Sequence, residues 1–122
     1  MDVLQILLSR EKELPVVEKD VKLKRLSRKG EEPVVFTLRS LSYGRVADLR
    51  RIGGEEMKLH IVLAGVKSPD LKNQDLLDHY GAATPLELIK TMLLPGEIED
   101  LSIEIEKLSG YRTDTIEEIK KK

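Results

Sequence analysis

Few residues in this chain are of types that could make or break bonds, and their spacing brings them to no common purpose. The two histidines are His60 and His79. Asp75 lies one helical turn before His79 and Asp78 is its neighbour, so an Asp–His hydrogen bond is the most that pattern offers. A zinc site needs three or four converging ligands, and nothing else in the sequence is aimed there. Glu97, Glu99, Asp100, Glu104 and Glu106 crowd one segment. Acid–base catalysis by paired carboxylates needs two groups from separate elements flanking a cleft, with pKa values pushed apart. One acidic helix face does not supply that; it reads as a solvated face or a docking face for a basic partner. Gly53-Gly54 lacks the Lys-Ser/Thr that would follow it in a phosphate-binding loop. There is no cysteine, which excludes disulfides, thiolate chemistry and cysteine-based zinc sites. The expectation is a non-catalytic protein with no cofactor and no metal.

The elements that carry these residues must be those of a small domain. The chain has 122 residues, 40% apolar and 35% charged, which suits one domain (1–122) with a modest core and a heavily solvated surface. Only Phe36, Tyr43, Tyr80 and Tyr111 are aromatic, so the core must be built from Leu, Ile and Val. Base stacking on aromatic rings has almost nothing to work with. No apolar run approaches the roughly 20 residues that span a bilayer. The apolar patch at Val3–Leu8 lacks a basic start and a cleavage site, so it reads as a short amphipathic helix rather than a signal peptide. A cytoplasmic location is expected.

Val21 and Leu23 alternate with Lys22 and Lys24, and Val34, Phe36 and Leu38 alternate with Val35, Thr37 and Arg39. Both patterns predict half-buried strands, joined through the polar stretch SRKGEE as a hairpin at about residues 17–41. Two strands alone are marginal, so the helices that follow, at about 42–121, must cover the apolar face. Ser42 is placed to cap a helix over Tyr43–Ile52, and Gly53 to end it. Glu55–Ala64 suits a helix by its acidic start and length, although Ile61-Val62-Leu63 would also suit a buried strand. Asn73–Tyr80 is a short helix closed by Gly81. Thr84, Pro85 and Glu87 are spaced as a capping box for the next, with Leu86, Ile89 and Leu93 inward. Pro95-Gly96 starts another, in which Ile98, Leu101, Ile105 and Leu108 form a narrow seam that Gly110 ends. A last amphipathic helix is predicted over Thr113–Lys122, with Ile116 and Ile119 together and three terminal lysines at its negative end. The fold class is α+β: an N-terminal β-hairpin packed against a bundle of short helices.

Charge is uneven along the chain. Residues 17–52 carry a balance of +5 and residues 53–118 one of −8, within a net charge of −1. Such asymmetry can steer a partner or promote self-association, or simply give two solvated faces. Lys19, Lys22, Lys24, Arg25, Arg28 and Lys29 form a basic patch that could meet phosphates, yet no nucleic-acid-binding motif accompanies it. A lysine-protected edge strand explains it at least as well. Ile103, off the seam, and Ile116 and Ile119, beyond it, are the candidate apolar anchors for a helical partner, with Lys22 and Lys24 as further candidate contacts.

The order of these pieces resembles a known family. A strand VKLKRLS, a strand VVFTLRSLS, then GVKSPDL, a helix ending HYG, TPLELIKTMLLPGEI and a helix ending LSGY are similar to the XkdN-like tail assembly chaperones of phages and prophage-derived elements of Gram-positive bacteria. The resemblance runs over roughly Val17–Tyr111, and its most specific pieces are Val66–Leu71 and Leu93–Ile98. Arg45 departs from it, standing where a Glu is expected early in a helix. The resemblance implies a chaperone that binds the phage tape measure protein in the host cytoplasm, is displaced by tail tube subunits, and is absent from the finished virion. It carries over no catalytic residue, cofactor or membrane partner. Two alternatives are a nucleic-acid-binding regulator using residues 19–29 and a structural virion component.

Overall fold

A computed structural model describes residues 2–120. The elements in order are α1 (Val3–Leu8), β1 (Glu18–Lys22), β2 (Val35–Arg39), α2 (Tyr43–Ile52), α3 (Gly54–Gly65), β3 (Val66–Ser68), α4 (Gln74–Tyr80), α5 (Pro85–Met92) and α6 (Pro95–Leu108). The architecture is α+β, as the patterning predicts. The sheet has three antiparallel strands rather than two, in the order β1-β2-β3.

The alternation in β2 sets the inner face. Phe36 and Leu38 are buried and Val35 and Arg39 are exposed, as a period of two requires. Val21 sits opposite Phe36 and joins the same face. Helices α3 and α6 lie side by side, and α6 also packs on β2. The stretch open to two readings, Glu55–Ala64, is helical, because Val62, Leu59 and Ile61 are buried by neighbours on several sides. The crossing of α3 and α6 is tight. A Cβ on Gly65 would stand 2.5 Å from Cδ1 of Ile105, so no larger residue fits without displacing that side chain.

The caps follow the sequence with one correction. Ser42 Oγ accepts from the Arg45 amide at 3.2 Å, so Arg45 leaves the α2 cap intact. Asn73 Oδ1 accepts from Leu76 N at 3.0 Å. Thr84 Oγ1 accepts from Glu87 N at 3.2 Å, but the return arm of the predicted capping box is not made. The Glu87 carboxylate lies 3.7 Å from Lys90 Nζ instead. A return arm does form one helix later, where Glu97 Oε1 accepts from Leu94 N at 2.7 Å.

The other correction is the last helix. Residues 113–120 have no helical structure. Gly110, at φ +98°, turns the chain out of α6, with the Tyr111 amide returning to the Glu106 carbonyl at 2.9 Å. Past that turn Ile116 and Ile119 are 92% and 87% exposed. A ten-residue helix is marginal on its own in water, and neither isoleucine of this one is packed against the fold. Lys121 and Lys122, two of the three lysines expected at its end, lie outside the described residues.

Candidate functional site

Three regions of the surface differ in chemistry, and the first is where the two charged halves meet. Helix α6 packs on β2, and its carboxylates reach one cation of β1 and one in the turn after it. Lys19 Nζ is 2.8 Å from Glu104 Oε2. Arg25 holds Glu97 with Nε at 3.1 Å from both carboxylate oxygens and Nη2 at 2.9 Å from Oε1. The same Nη2 donates to the Met92 carbonyl at 2.7 Å. The Arg25 fork and the Leu94 amide together hold the Glu97 carboxyl below the usual range, against the opposing effect of burial. Lys19 does the same for Glu104, and Glu97 raises Arg25 in turn. The six cations from Lys19 to Lys29 therefore do not form one free basic surface. Two of them are spent on α6.

Lys22 and Lys24 are exposed and separate from those pairs. Between β1 and α6 runs a groove with Val21, Leu23 and Leu101 in its floor and Lys22, Lys24, Glu97 and Asp100 along its walls.

The second region is apolar and lies at the ends of the chain. Helix α1 is capped at its start, Asp2 Oδ1 accepting from Gln5 N at 2.9 Å and Gln5 Oε1 from Asp2 N at 3.3 Å. Yet it buries nothing: Val3 and Leu8 are 70% and 76% exposed, with Leu4 and Leu7 close behind. Leu14 and Val16 continue the exposed apolar run. Sequence reasoning found this helix but missed its exposure, since spacing gives a stripe and not what the stripe packs on. Of the predicted anchors, Ile116 and Ile119 belong with this exposed set. Ile103 is only half-buried on α6, and the fold does not unite it with the other two in one element.

The third region is a small apolar cleft of Leu41, Val46, Leu49, Met57 and Ile61. Tyr111 lies over it, with the Arg50 guanidinium 5.1 Å from the ring centre. The residues first considered for chemistry stay apart: His79 meets Tyr80 edge to face at 4.9 Å. Among the described residues no group of three His, Asp or Glu side chains is placed to hold a metal ion. Nor is any helix long and apolar enough to cross a membrane.

Comparison with known proteins adds to this geometry. A family model described as the phage XkdN-like tail assembly chaperone protein matches residues 49–121, more than half of the chain. The match begins within α2, so the hairpin and α1 lie outside it. A crystal structure of the protein YqbN superposes with a TM-score of 0.65 over 81% of this chain and 89% of that one. At 21% sequence identity the likeness is one of fold. No curated protein matches the chain.

Proposed function

The chain belongs to the phage XkdN-like tail assembly chaperone family, and from that premise we propose that it binds the tape measure protein without catalysis, in the cytoplasm of the bacterial host. It holds that long helical protein soluble until tail tube subunits polymerise around it and displace the chaperone. The family match over residues 49–121 carries this reading.

Physical observations support it. An amphipathic helix is held by apolar anchors laid along a groove. This chain exposes such anchors at both ends, Val3, Leu4, Leu7 and Leu8 in α1 and Ile116 and Ile119 after α6. They are attached to a core that is complete without them, so a partner can take or release them at little cost to the fold.

Co-expression tests the proposal. A tape measure protein co-expressed with this chain should be soluble and co-purify with it, and should be insoluble when expressed alone. Recovery of the chain in purified virions, or a tape measure protein indifferent to its presence, contradicts the reading.

A further inference from the structure

A concavity of about 190 Å³ opens beside β3, and four separate pieces of the chain bring cations to it. The end of β2 supplies Arg39, the first turn of α2 supplies Arg45, β3 supplies Lys67 and the loop after β3 supplies Lys72. Val66 and Leu71, both buried, belong to the same lining. Among the described residues the one acid there is Asp70, and its Oδ1 already accepts from the Lys72 amide at 3.0 Å.

The fold answers few of these charges. Lys67 is paired, its Nζ 2.7 Å from Glu18 Oε2. Arg39 donates through Nε to the Ala64 carbonyl at 3.2 Å, which seats the guanidinium at the lining and leaves its Nη donors over. Among the described residues Arg39, Arg45 and Lys72 form no ion pair. The contrast is with Lys19 and Arg25, each met by a carboxylate of α6. Arg45 also works against the helix that carries it. The N-terminal end of a helix holds partial positive charge, which an acid relieves and a base aggravates. Helix α2 has no acid in its first turn, and Arg45 stands there. Gathering like charges around one concavity adds self-repulsion. A local arrangement that opposes stability, with no compensation inside the fold, points to a counter-charge from outside.

The lining selects the kind of anion. Arginine presents a planar fork that matches the two oxygens of a carboxylate. Asp70 remains in the wall and repels a doubly charged group more than a singly charged one. Val66 and Leu71 offer apolar contact to a short aliphatic stem. We infer that this concavity is an anchor point for an aspartate or glutamate side chain of a protein partner, held by Arg39, Arg45 and Lys72. The partner's being a protein rests on the assembly role proposed above; the site uses none of the residues at the apolar ends.

Two measurements on the full chain test it. Arg45→Glu should melt about 1–3 °C higher than wild type, because an acid then meets the start of α2. Binding is read with a labelled helical peptide carrying exposed glutamates, against the same peptide with glutamines. Wild type should prefer the glutamate peptide by about tenfold or more at low salt. Arg45→Glu with Lys72→Glu should abolish that preference, and Lys12→Glu with Lys29→Glu, an equal change of net charge elsewhere, should keep most of it. The inference is overturned by a wild type indifferent to the two peptides, or by a preference that the two reversals lower equally. It is overturned also if inorganic phosphate displaces the peptide and acetate at the same concentration does not. Should the double reversal fail to fold, Arg45→Gln with Lys72→Gln decides by losing the preference or keeping it. A tape measure protein held equally well by wild type and by the Arg45 and Lys72 variants removes the anchor and leaves the assembly role standing. A glutamate preference that depends on Arg45 and Lys72, beside a tape measure protein indifferent to the chain, supports the anchor and removes that role.

Discussion

Helices α1 and α6 are both rich in aliphatic residues, and the fold treats them in opposite ways. In α6, Ile98, Leu101 and Ile105 are buried against α3 and the sheet. In α1, Val3, Leu4, Leu7 and Leu8 all face outward. The difference is not hydrophobicity. It is whether the rest of the chain supplies a complementary surface, as Gly65 does for Ile105 by having no side chain at all. One set of apolar residues makes the fold, and the other stays exposed.

That contrast can be broken at its tightest point. Ile105→Ala should cost about 3–4 kcal/mol in denaturant unfolding, for lost burial plus a cavity. Gly65→Ala should cost about 2–3 kcal/mol by overpacking the same spot. The double variant should cost less than the two together, because the new methyl enters the space the isoleucine leaves. Strict additivity would mean the two helices do not meet as described.

A smaller effect sharpens the account of α6. Glu97→Ala should cost about 1 kcal/mol, since it removes the carboxylate that caps Leu94 N and receives Arg25. Glu97 and Glu104 both titrate below the usual carboxylate range in the folded chain. Their contribution is therefore whole above the unfolded carboxylate pKa and is lost as pH falls through the lowered folded values. Melting temperature should drop on acidification, and drop less steeply in Glu97→Gln.

The smallest effect belongs to α1. Leu4→Ser with Leu8→Ser should change stability by no more than about 0.5 kcal/mol, because neither side chain is buried. The same variant should lose much of its capture of the tape measure protein in co-expression. A large stability loss would make α1 part of the core.

Local pattern made much of this fold legible. The alternation from Val34 to Arg39 gives β2 and its buried face, and Ser42, Asn73 and Thr84 mark helix starts where they occur. Three residues cannot show a period, so β3 at Val66–Ser68 was invisible until β2 offered it an edge. The spacing of Ile116 and Ile119 suggests a helix, but spacing cannot say that no surface awaits it. The bonds from Lys19 to Glu104 and from Arg25 to Glu97 join residues 85 and 72 positions apart. Such pairings are decided by packing, so the basic strand and the acidic helix could be read only as separate charged faces.

Hydrogen exchange on the chain, free and bound to the tape measure protein, tests the division between fold and partner surface most directly. Amides of Val3–Leu8 and of residues 113–120 should exchange fast in the free chain and slow markedly in the complex, while α3 and α6 stay protected in both. Protection of the two ends before any partner is added, or a complex that slows only the amides of α3 and α6, would contradict it.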